Sequence, residues 1–77
     1  MINLFRSGEL LHKAAKDSTY SVAEIARMMG VTTQAMHRWF RGESLPNIDN
    51  LFLFAEIVDC SVEDIIVYKP ELDRLVA

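Results

Sequence analysis

A chain of 77 residues, 51% of them hydrophobic with three Gly and two Pro, suffices for one compact, mostly helical domain and leaves no room for a second, effector-sensing one. A single cysteine excludes an intrachain disulfide. The longest apolar run, Leu51 to Ala55, is far short of the ~20 residues that span a bilayer, and Met1 to Arg6 lacks a signal-peptide core, so a cytoplasmic chain with no membrane segment is expected.

The first predicted element is a helix over about Asn3 to Lys16, with Leu4, Leu11, Ala14 and Ala15 among its apolar positions. It ends in the polar breaker cluster Asp17-Ser18-Thr19. Ser21-Val22-Ala23-Glu24 is a capping box flanked by Tyr20 and Ile25 at staple spacing, which starts a second helix from Val22 to Met29. Gly30 stops that helix in the left-handed conformation a C-terminal cap requires. Thr32 caps a third helix that begins there or at Thr33 and runs to Arg41, with Val31 and Met36 at staple spacing and Gly42 as its stop.

Glu43 to Pro46 reads as a loop. Asn47 caps a fourth helix with Leu51, Phe54, Ala55 and Val58 on one face and Phe52 and Leu53 widening the stripe. Ser61, with Asp64 three residues on, caps a short fifth helix to about Val67. Residues 1–67 thus form the domain and residues 68–77 a short C-terminal tail. There Pro70 can open a segment whose Leu72, Leu75 and Val76 share a face, either packed onto the first helix or forming a dimer contact. Cys60, among apolar neighbours, reads as a small buried hydrophobe.

Residues 22 to 41 hold two short helices joined by too few residues for anything but a tight turn. Ala26 is small where the pair must approach, Gly30 permits the turn, and Ile25, Met29, Val31, Met36 and Trp39 supply apolar faces that lock the two together. This is a helix-turn-helix pattern. With Met36 set inward, the third helix places His37 at about 100°, Arg41 at about 140°, Gln34 at about 160° and Arg38 at about 200°. Four hydrogen-bonding side chains therefore share its outer face. Gln can pair with an adenine edge, Arg with guanine or a phosphate, and a Thr methyl can meet a thymine methyl. Trp39 and Phe40 lie toward Met36 and read as internal packing.

The run Ala-Arg-Met-Met-Gly-Val-Thr-Thr-Gln, followed by Arg38-Trp39, Gly42 and Ser-Leu-Pro, resembles the Cro and lambda-repressor-like (XRE) DNA-binding domains over roughly Leu10 to Val67. The resemblance implies an all-α, compact five-helix fold that binds operator DNA as a homodimer. It also implies that Thr33, Gln34 and His37 stand where such domains read bases, with Thr32 beside them as a further DNA-binding candidate. Arg38 is then a base or phosphate reader, and Arg41 contacts the backbone. Two positions depart from the pattern. Val22 replaces a common Gln that touches the backbone, passing that contact to Ser21, Ser18 or a main-chain amide, and Glu43 replaces a common basic residue.

Charge bears on the same choice. The formal net charge of −3 opposes nucleic acid taken as a whole, yet residues 1 to 41 carry six basic side chains against three acidic, and residues 42 to 77 carry two against eight. A molecule polarised this way can turn one face to phosphates and another to a partner. The leading expectation is a transcriptional regulator of repressor type that binds double-stranded DNA. An antitoxin whose acidic half meets a basic protein is a variant, and an interaction module that has lost DNA binding is the alternative class. No nucleophile and base pair, phosphate cradle or metal-ligand spacing is present, so no enzyme, cofactor or metal site is expected.

Overall fold

The computed structural model describes residues 1–68. Among them the elements are α1 (Leu4–Asp17), α2 (Val22–Met29), α3 (Thr33–Phe40), α4 (Ile48–Ile57) and a single 3-10 turn (Val62–Asp64). Each α-helix begins where a short polar side chain takes up an amide that the helix itself cannot satisfy. Arg6 N donates to Asn3 Oδ1 at 3.0 Å, Glu24 N to Ser21 Oγ at 3.1 Å, Ala35 N to Thr32 Oγ1 at 3.0 Å and Asn50 N to Asn47 Oδ1 at 2.8 Å. At Ser21 the Glu24 carboxylate also accepts from the Ser21 amide at 2.9 Å, which closes the capping box. Asn3, expected inside the first helix, is its cap.

The buried centre draws Leu11 from α1, Ile25 from α2, Met36 from α3, Phe54 from α4 and Ile65 from the segment after the turn. α3 packs against α1 and α2, while α4 packs against α2 and the turn. On α1 the inner face is Ser7, Gly8, Leu11 and Ala15, and Leu4 is exposed. Gly8 sits against the end of α3 so closely that an added Cβ would lie 2.5 Å from the Trp39 carbonyl oxygen and 2.7 Å from that of Phe40. Backbone therefore meets backbone there, and the C-terminal half of α3 is held at a fixed distance from α1.

The expected fifth helix from Ser61 to about Val67 is not formed, and the five-helix description is corrected to four α-helices and one 3-10 turn among the described residues. The local capping signal is genuine, since Ser61 N donates to Asp64 Oδ2 at 3.1 Å. It is outcompeted downstream. Val67 N donates to the buried Ser7 Oγ at 2.8 Å, Asn3 N donates to Val67 O at 2.8 Å, and Tyr68 forms an isolated antiparallel bridge with Ile2. Main-chain groups that a longer helix would pair internally are satisfied across the chain.

Phe52 and Leu53 do not widen the buried stripe of α4. Phe52 is 61% exposed and Leu53 lies at the surface beside it, because Phe54 and Ala55 occupy the buried face, with Leu51, Ile57 and Val58 packed against the core around them. Cys60 is half-buried, and burial, followed by the nearby Asp64 and Asp59 carboxylates, pushes its thiol pKa up. The expected tail contacts of Leu72, Leu75 and Val76 lie outside the described residues.

Candidate nucleic-acid interface

The α2–α3 turn is set by Gly30, whose φ of +71° is the left-handed value that ends α2, with Val31 N donating back to Ala26 O at 3.0 Å. Ala26 is buried, as its size at a close approach requires, and Ile25, Met29, Met36 and Trp39 are buried with it. Val31 packs against that core from its edge. The inner face of α3 is thereby fixed by Met36, Trp39 and Phe40, and its rotation decides what faces out.

Thr32, Thr33, Gln34, His37 and Arg38 are all exposed, as are Arg41 at the C-cap and Ser21 at the N-cap of α2. The outward set expected from the helical wheel is thus the set the fold presents. Their freedom differs, however. Thr32 Oγ1 is committed to the Ala35 amide, which leaves its methyl group and hydroxyl proton for an outside partner. Ser21 Oγ is committed in the same way to Glu24 N. Ser18 Oγ accepts from Tyr20 N at 3.0 Å. Val22, where a side-chain phosphate contact was expected to be lost, packs against the core.

Arg41 is not a free cation. Its Nε donates to Glu43 Oε2 around the Gly42 turn, and the Glu43 amide donates to Arg38 O at 2.9 Å, which holds the carboxylate in place. The hydrogen bond with Arg41 is the main reason that the Glu43 carboxyl lies below the usual range, with Arg38 adding a smaller attraction, and the same bond raises the Arg41 pKa. Sequence reasoning identified both residues but not their pairing. Gly42, at φ +76° between them, folds the two opposite charges onto one corner.

His12 is the functional-site neighbour that sequence reasoning missed. Its ring stacks on Phe40 at 4.6 Å and 16°, while His37 meets the same Phe40 edge-on at 5.6 Å and 84°. Phe40 is internal, as expected, but it also limits the directions the His37 ring can take. The spacing of His12 four residues after Gly8 on α1 places it beside the end of α3, a relation visible only once Gly8 is recognised as a contact point.

Comparison with known proteins bears on this geometry. The sequence model of the helix-turn-helix family matches residues 11–65, which takes in all five core-forming stretches from Leu11 to Ile65. A protein of Pyrococcus furiosus that carries the provisional name HTH-type transcriptional regulatory protein is 30% identical over 69 residues. The alignment covers 88% of this chain but only 22% of that relative, so the chain spans about a fifth of the relative's length. No solved structure gives a significant match.

Proposed function

The chain belongs to the helix-turn-helix family, and from that premise we propose that it is a DNA-binding transcriptional regulator, a small repressor that lays α3 in the major groove of a two-fold operator as a homodimer. The observation that carries this is the rotation of α3. Met36, Trp39 and Phe40 are buried, and Thr33, Gln34, His37 and Arg38 are consequently the side chains offered outward from a helix short enough to enter a groove. Gln34 then pairs with a base edge, Thr32 and Thr33 contribute methyl contacts or hydroxyl donors, and His37 and Arg38 complete the readout. Arg41 grips a phosphate through the guanidinium nitrogens that Glu43 leaves free. Ser21 contributes at the start of α2 by redirecting to a phosphate the hydroxyl proton that otherwise meets the Glu24 carboxylate. The Val22 and Ala23 amides there precede the first intrahelical bond, from Ile25 N to Ser21 O, and can supply the anchor that a Gln side chain gives elsewhere. The chain acts by binding, in the cytoplasm, without a cofactor.

The test is fluorescence anisotropy against a random duplex pool at low ionic strength, followed by selection of the bound sequences. Recovery of a defined site supports the regulator. A flat response at every salt concentration would replace it with an interaction module, for which the neutralised Arg41 and the core-packed Val22 are the motivating observations.

A further inference from the structure

The acidic half of the molecule contains a groove of about 640 Å³. Its floor is Ala55, Cys60 and Val62, Phe52 flanks its mouth, and its rim carries the carboxylates of Glu56, Asp59 and Glu63. No cation lines it. Phe52 is the informative residue, because a phenylalanine 61% exposed at the mouth of a groove is an apolar surface without a cover among the described residues. One turn back on the same face of α4, Ile48 is 71% exposed and extends the apolar surface away from the groove. Asp49 is exposed next to it.

We propose that this groove is the docking site for a basic amphipathic helical segment of a partner protein, whose apolar side chain enters over Phe52 and Val62 while its Lys or Arg residues meet Glu56, Asp59 and Glu63. Charge decides the occupant. A second copy presenting the same face would bring three carboxylates against three carboxylates, and like charges set close together oppose association. A nucleic acid would be repelled for the same reason. A cationic segment satisfies the rim and the floor together, in the helix-in-groove mode. The groove belongs to α4 and the 3-10 turn, whereas DNA reading is assigned to α3, so the two can be separated by substitution.

The probe is a synthetic 14-residue helical peptide of Leu and Lys with its leucines along one face, titrated into the isotopically labelled full chain and followed by amide chemical shifts. Perturbations are expected at Phe52, Glu56, Cys60 to Glu63 and their neighbours. Phe52→Ala and, separately, Glu56→Lys should each weaken binding at least tenfold, with DNA affinity unchanged. Both sites are exposed, so the fold should persist, and unchanged dispersion of the Trp39 indole resonance checks it. Equal binding of a Leu and Glu peptide, or of a Lys and Ser peptide without leucine, would overturn the proposal. Concentration-dependent shifts that Phe52→Ala abolishes would give the groove to a second copy and overturn it too. Shifts of residues 69–77 in that variant at every concentration would give it to the chain's own last residues, with the same consequence.

Discussion

Arg41 and Glu43 form a pair within the proposed interface, and DNA has to compete with the carboxylate for the guanidinium. Glu43→Gln removes that competition and a charge that opposes phosphate. The variant should bind all duplexes more tightly, and the slope of log affinity against log salt should steepen by about one. Measured in parallel, Arg41→Ala should weaken every sequence about equally and flatten the slope by no more than about one. If Glu43→Gln left both affinity and slope unchanged, Arg41 would not be near a phosphate. Gln34 is a different kind of residue, because a base contact carries sequence information and a phosphate contact does not. Gln34→Ala should cost about 1–3 kcal/mol at the preferred base and relax selection there, as read by repeating the duplex selection with the variant. At this scale the outward residues of α3 were legible, since a wheel needs only the inward position of Met36. Their mutual commitments were not. Which oxygen caps an amide and which cation faces a carboxylate depend on turns that only the folded backbone fixes.

The helices owe their boundaries to caps, and the caps have measurable consequences. Ser21→Ala removes the acceptor for Glu24 N and should cost about 1 kcal/mol, read as a lower urea midpoint with an unchanged slope. The Glu24 carboxyl is held below its usual 4.5, first by the Ser21 amide and then by the Ser21 hydroxyl. A carboxyl whose folded pKa is depressed contributes stability above its unfolded pKa and loses it as pH falls through the folded value. Stability should therefore decline on acidification below about pH 4.5, and Glu24→Ala should make that decline shallower. Gly8 acts between elements. Gly8→Ala drives a methyl into the Trp39 and Phe40 carbonyls, which are backbone and cannot rotate away. The cost should be about 1–3 kcal/mol despite the better helix propensity of Ala, with Tm lower by roughly 5–20 °C. The starts at Ser21, Thr32 and Asn47 and the Gly30 stop were legible because capping is local chemistry within a few residues, whereas Asn3, expected to be helical, is a cap. The fifth helix failed because its competitor is remote. Ser7 and Asn3 claim the Val67 main chain from some sixty positions away, and no local pattern announces that.

For the whole molecule the separation of charge sets how tightly and how selectively DNA can be held. Arg27, Arg38 and a partly neutralised Arg41 are the cations on the helix-turn-helix, and the remaining acidic groups are concentrated from Glu43 onward. With about two to three phosphates neutralised per copy, a symmetric dimer should show a log–log salt slope of about −3.5 to −5.5. That is shallow for an operator-binding protein, so in the proposed complex a larger share of the specific affinity comes from base contacts by Thr33, Gln34, His37 and Arg38. Selected duplexes should consequently carry two sharply defined half-sites with centres about 10 base pairs apart, related by two-fold symmetry. For the proposed homodimer, the polarity also limits where the contact can lie. A second copy of the acidic groove beside Phe52 would oppose the first, which favours the end of the molecule where Ile2, Leu4, Phe5 and Tyr68 are exposed together around the Ile2–Tyr68 bridge. Phe5 is 64% exposed there. Phe5→Glu should thus reduce sedimentation from dimer to monomer and weaken two-half-site operators far more than single half-sites. Equal loss on both would place the contact elsewhere, and a slope near −10 in the unaltered chain would mean that more of the surface than the helix-turn-helix meets phosphate.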